Sequence, residues 1–239
     1  PMSKPHLFKT AAAVLLALCL PVAQAAPDNS PDNGRQLAAG LAAYMKQDYR
    51  QALAVLRPLA EAGDVRAQAL MATMYGKGEG VAQDMAESVK WLRRAAEQGD
   101  ARAQYYLGLL YWGGSSVEKD SVQAVDWWRK AAQQGLADAQ MGLALLYAEG
   151  KDVPQDYAEA AKWYRKAAEA GDAKAQLFLA DMYRDGKGVP KDLRQAEKWY
   201  RQSAKQGQSE ACMMLDLIRL KTGGTAEECE PGPKTLLQD

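Results

Sequence analysis

The chain has 239 residues, 25% of them charged and 48% hydrophobic, and its 30 basic side chains are balanced by 30 acidic ones. That composition describes an ordinary globular polypeptide without the field needed to hold a phosphate backbone, which argues against a nucleic-acid partner. The one histidine, His6, lies near the N-terminus. Once that segment is removed, as its pattern implies, no imidazole is left for Ser-His-Asp, Cys-His or histidine-zinc chemistry, so no cofactor, no metal and no catalytic residue is expected.

Residues 1–25 carry Lys4, His6 and Lys9, then an apolar run from Ala11 to Leu20, then Pro21 and Ala23-Gln24-Ala25. This is the pattern of a secretory signal peptide cleaved after Ala25, and it places the rest of the chain in the periplasm. The apolar run is too short to cross a bilayer. Cys19 follows Leu18, where a lipobox requires a small residue, so lipidation is the lesser reading. Residues 26–36 read as a linker.

From residue 37 to 221 a period of 36 residues dominates the chain. Gly63, Gly99, Gly135, Gly171 and Gly207 mark it, as do Gln68, Gln104, Gln140 and Gln176 and the tyrosines Tyr75, Tyr111, Tyr147 and Tyr183. Asp84, Asp120, Asp156 and Asp192 follow, then Trp91, Trp127, Trp163 and Trp199, each with an arginine two residues later. Every period reads as two helices. The first starts at Asp64, Asp100 or Asp172, whose carboxylate can accept from the free amides of the first turn. Its stripe of Ala67, Met71, Met74 and Tyr75 has helical spacing. A glycine loop ends it, most complete as Gly78-Glu79-Gly80-Val81 and Gly186-Lys187-Gly188-Val189. The second helix opens with Asp84-x-x-Glu87 and its counterparts, which have capping-box spacing, and stops at the periodic glycine. Leu136 stands where the first-helix aspartate recurs, and Ser115-Ser116 predicts a looser second loop.

The ends are atypical, as a solenoid requires of repeats that face water on one side. Residues 37–63 keep the second-helix pattern but lack the G-x-G-V loop and form an N-terminal cap. Four full repeats occupy 64–207, and 208–221 make a C-terminal capping helix. Residues 222–239, with Gly223-Gly224 and Pro231-Gly232-Pro233, read as an irregular tail. Cys212 and Cys229 are the two cysteines left after cleavage. In an oxidising compartment they read first as a disulfide, whose loop contributes about 3 kcal/mol in the chain-entropy account; two unpaired thiols are the alternative.

The pattern A-Q-x-x-L-[GA]-x-[LM]-Y-x-x-G-x-G-V-x-x-D-x-x-x-A-x-x-W-[YWL]-R-[RK]-A-A-x-x-G resembles the Sel1-like repeat, a relative of the tetratricopeptide repeat. The resemblance implies an all-α fold, a right-handed α-solenoid of helix-turn-helix units, with the first helix of each repeat lining the concave face. On that helix, positions spaced with Arg66, Ala69, Thr73 and Lys77 point away from the recurring stripe. The predicted partner-binding face therefore comprises Arg66, Arg102, Tyr105, Leu109, Trp112, Met141, Leu145, Leu177, Asp181 and Arg184. Its large apolar side chains form either an exposed patch or the packing between adjacent first helices.

Family resemblance implies a non-enzymatic adaptor with a protein partner. Periplasmic members include assembly factors and immunity proteins that neutralise toxins delivered by type VI secretion, and a secreted monomer without an accessory domain suits the second role. The alternative is a structural scaffold for a cell-envelope complex. A cysteine-rich branch is linked to penicillin binding and β-lactam hydrolysis, but the repeats here lack its cysteine pairs, and the full S-x-x-K, S-D-N and K-T-G set is absent.

Overall fold

The computed structural model describes residues 31–222, and every regular element among them is a helix. The chain divides between Gln134 and Gly135 into two compact units. In the first, α1 (Pro31–Met45) and α2 (Tyr49–Glu61) precede the pairs α3 (Val65–Lys77) with α4 (Met85–Glu97) and α5 (Ala101–Gly113) with α6 (Ser121–Gln133). The second contains α7 (Ala137–Glu149) with α8 (Tyr157–Glu169), α9 (Ala173–Asp185) with α10 (Leu193–Lys205), and α11 (Ser209–Thr222). Within each unit every helix packs on the one before it and the one after it, as stacked helix pairs do. The leader ending at Ala25, Cys19 and the tail with Cys229 lie outside the described residues.

The joints between pairs follow from two residues. The second helix of a pair ends in a Schellman motif: Gly63, at φ +102°, donates to the Ala60 carbonyl, and Asp64 N–H donates to Leu59. Gly99 with Asp100 and Gly171 with Asp172 repeat this. The same aspartate then turns round and caps the next helix, its Oδ1 accepting from Ala67, Ala103 or Ala175 N–H at 2.7–2.9 Å. Leu136 has no such oxygen, and α7 starts without a side-chain cap.

The second helices are capped as expected but without the reciprocal half of the capping box. Asp84, Asp120, Asp156 and Asp192 each accept from two first-turn amides. Their own N–H groups are already bonded to the carbonyls of Tyr75, Tyr111, Tyr147 and Tyr183, all at 2.9 Å, so Glu87 and Glu159 turn instead to Lys90 and Lys162. That bond, from Asp120 N–H to the Tyr111 carbonyl, also ends the Ser115-Ser116 loop at the same point as its neighbours. Gly80 and Gly188 are needed for a different reason: a Cβ on either would run into the backbone carbonyl of Tyr49 or Tyr157.

Buried polar side chains complete the stacking. Gln68 donates to the Ala60 carbonyl of the preceding helix at 3.0 Å and accepts from Gln98 at 2.7 Å. Gln104 does the same with Ala96 and Gln134, and Gln176 with Ala168 and Gln206. Residue 170, in register with these donors, is alanine and brings no amide. Arg57, Arg93 and Arg165 each donate to the hydroxyl of a tyrosine in the next helix, Tyr75, Tyr111 and Tyr183, and lie over its ring. The recurring tryptophans Trp91, Trp163 and Trp199 are buried, whereas Trp127 is half-exposed beneath Lys130.

The first helix departs from the sequence reading. α1 begins at Pro31, inside the stretch read as linker, with proline at the position where its missing N–H costs nothing. Residues 32–36 bury no side chain, so no apolar period announced them.

Truncating Gln98 to alanine leaves the Gln68 carbonyl oxygen buried without that donor, at a cost of about 1–3 kcal/mol. A urea midpoint unchanged in Gln98→Ala would show that the glutamine ladder does not bear on stability.

Candidate protein-binding surface

In the first unit the variable residues of α3 and α5 define the candidate surface. Arg66 is half-exposed and pairs with Asp64 at 3.5 Å, an ion pair at the surface that adds little stability. Arg102, Tyr105 and Trp112 are half-exposed as well. Leu109, expected on the open face, is buried at 8% exposure, and Ala69 and Thr73 at the matching places of α3 are buried too. Each of these helices is held between the second helix before it and the second helix of its own pair, so its buried stripe is wider than a one-sided helix requires.

Tyr105 and Trp112 are not separate anchors. Both stand beside Trp128 of α6, with ring centroids 6.3 and 6.2 Å from it, and the Tyr106 ring lies tilted against Tyr105 at 5.5 Å. Trp128 is 2% exposed, and its indole N–H donates to the Tyr105 carbonyl at 3.0 Å. It fits because residue 108 is glycine: a Cβ there would run into the Trp128 ring. The other repeats put Ala72, Ala144 and Ala180 at that place and Leu92, Tyr164 and Tyr200 opposite Trp128 in register. Sequence reasoning overlooked this cluster, although the Trp127-Trp128 doublet and the Gly108 substitution were its signal.

In the second unit Met141 and Leu145 on α7 are half-exposed, while Leu177 on α9 is buried at 5% exposure, which removes it from the predicted face. Asp181 and Arg184 were expected as rim charges open to a partner. Instead, Tyr200 of α10 donates to Asp181, and Arg184 donates to Asp181 at 2.7 Å and to the Tyr200 hydroxyl at 2.9 Å. The remaining side of the guanidinium forks onto Asp185 through Nε and Nη2 at 2.8 and 3.1 Å. Burial raises the Asp181 carboxyl above the usual carboxylate range against the pull of Tyr200 and Arg184. Burial, followed by the Asp181 bond, raises the Tyr200 phenol, and the Arg184 fork lowers Asp185. In strict register Trp112 and Arg184 correspond to Gly76 and Ala148, one residue before the Lys77 position.

Matches to known proteins agree with this architecture. The family model "Sel1 repeat" matches residues 65–100, 101–136, 137–172 and 173–208. The chain belongs to the Sel1-repeat family. Among solved structures it is similar to c5321, a protective antigen of uropathogenic Escherichia coli with an SLR fold, at 39% identity and a TM-score of 0.75 over 82% of this chain. The chain spans 43% of the length of that antigen. A Sel1 repeat protein from Oxalobacter formigenes is 37% identical with a TM-score of 0.68, over 80% of this chain and 77% of its own. An immunity protein of Pseudomonas aeruginosa, Pa5087, is 22% identical with a TM-score of 0.43, covering 78% of this chain and 70% of its own, and bears on no functional argument. No curated protein matches the chain. Sel1 repeats are in general non-catalytic scaffolds for protein–protein interaction, and among the described residues no helix is long and apolar enough to cross a membrane.

The aromatic cluster is checked through its smallest member. Gly108→Ala forces a methyl group into the Trp128 ring and is expected to destabilise the protein by about 1–3 kcal/mol, whereas Ala144→Gly in the equivalent place brings no overpacking. Wild-type stability in Gly108→Ala would mean that the ring moves freely and the cluster is not rigid.

Proposed function

We propose that this Sel1-repeat protein is a non-enzymatic periplasmic adaptor that captures one protein partner on the first-helix face. Its specific form is immunity: neutralisation of a toxin delivered by type VI secretion, such as a phospholipase. The observation that carries the binding reading is the half-exposed pair Tyr105 and Trp112, held in place by a buried Trp128. The other first helices put Ala69, Met141 and Leu177 in the place of Tyr105 and Gly76, Ala148 and Arg184 in the place of Trp112, so the aromatics are additions to the scaffold rather than part of it. Aromatic side chains fixed before binding lose little rotamer freedom on contact and serve well as interface anchors. Arg102 on the same helix supplies a cationic edge, which favours encounter and orientation more than affinity. The leader sequence supports the periplasmic placement.

The test is affinity capture of the tagged chain from residue 26 to 239 in envelope extract, with crosslinking and mass spectrometry. One stoichiometric partner, crosslinked near Tyr105 and lost from Tyr105→Ser with Trp112→Gln, is the expected result. Loss of at least about 2 kcal/mol of binding would mark these residues as hot spots. A lethal enzyme as the captured chain establishes immunity. Several substoichiometric partners point instead to an envelope scaffold, and full binding by the double variant rejects the aromatic surface.

A further inference from the structure

The last helix ends the second unit with an apolar face uncovered. Met213, Leu217 and Leu220 on α11 are 60%, 50% and 73% exposed and fall at i, i+4 and i+7, one stripe of the helix. Leu217 also enters a cavity of about 340 Å3 whose other walls include Leu193, Met214 and Ile218 on the apolar side and Arg184, Asp185 and Lys191 on the charged side. The stripe and the cavity meet at Leu217 in one groove that is apolar along its floor and charged at one edge, where Arg184 is already paired with Asp185 and Lys191 adds a positive charge. Cys212, 7% exposed, precedes the first residue of the stripe.

Residues 223–239 follow α11 directly, and their composition matches this groove. Glu227, Glu228 and Glu230 surround Cys229, and Leu236-Leu237 lie near the end of the segment. From Thr222 back to Cys212 is about 15 Å at the helical rise. The residues between Thr222 and Cys229 span up to about 20 Å when extended, and the ten after Cys229 up to about 33 Å. Both the return to Cys212 and the reach of Leu236-Leu237 along the groove are therefore within the length of the chain.

We propose that the groove on α11 is occupied by the chain's own residues 223–239, tied down by a Cys212–Cys229 disulfide, with Leu236-Leu237 on the apolar floor and the glutamates at the Lys191 edge. In forming the bond, the two thiols release two protons and pass two electrons to a disulfide oxidant of the oxidising compartment, which leaves as the dithiol. The docked tail closes the solenoid end: the stripe that would otherwise accept another repeat or a second chain is filled from within. This inference is independent of the first-helix surface, and a partner bound there neither requires nor forbids it.

Hydrogen exchange of the oxidised chain 26–239, read by mass spectrometry on the peptides of α11, tests the docking, with non-reducing peptide mapping for the bond. The expected result is a Cys212–Cys229 crosslink and α11 amides that exchange about tenfold faster in Cys229→Ser and in Leu236→Asp with Leu237→Asp than in wild type. The second variant keeps both cysteines, so it remains informative if loss of the disulfide impairs folding. Equal α11 exchange in wild type and in the double leucine variant overturns the proposal. So does protection that rises with protein concentration, which assigns the groove to a second copy, or protection that appears only with the captured partner present.

Discussion

One residue at the end of three of the helix pairs carries the stacking. Asp64, Asp100 and Asp172 each close a Schellman motif through the backbone N–H and open the next helix through the carboxylate, so two helix ends are satisfied by a single side chain and the glycine before it. Because the link between helices is that short, the direction in which one helix leaves another is set within a few residues. Every longer contact presupposes it: Gln68 reaches back to Ala60, and Arg57 reaches forward to Tyr75, only because the joint holds α2 and α3 in fixed relation.

On that frame the repeat separates two kinds of position. The alanines Ala67, Ala103, Ala139 and Ala175 are fully buried, and no larger side chain replaces them, since helices this close leave room for a methyl group and little more. Elsewhere, paired changes are tolerated. A glycine at residue 108 and a tryptophan at residue 128 together fill a space that alanine shares with leucine or tyrosine in the other repeats, and Tyr105 and Trp112 stand half-exposed beside that ring. The second unit uses its corresponding positions differently. Tyr200, Asp181 and Arg184 form a closed hydrogen-bonded network in which the charges serve one another. The same scaffold thus presents half-exposed aromatics in one unit and a self-satisfied polar network in the other without altering its core.

The all-α class, the 36-residue period, the capping aspartates and the glycine-terminated helices were legible from the chain alone, because each depends on contacts between residues a few positions apart. The start of α1 was not, since residues 32–36 bury nothing and leave no periodic mark. The reciprocal capping box was misread because the amide it needs is taken by a tyrosine carbonyl nine residues earlier, a partner that spacing within the helix cannot reveal.

For the predicted binding face the division is sharper. The varied positions were identifiable by comparing repeats, and Arg66, Arg102, Tyr105, Trp112, Met141 and Leu145 are indeed half-exposed. Burial of Leu109 and Leu177, and the capture of Asp181 and Arg184 by Tyr200, came only from tertiary structure. Local sequence determines which way a side chain points from its own helix, because that follows from 3.6 residues per turn. What stands opposite it, whether water, a leucine or a carboxylate, depends on helices 15 to 20 residues away and is decided only when they pack.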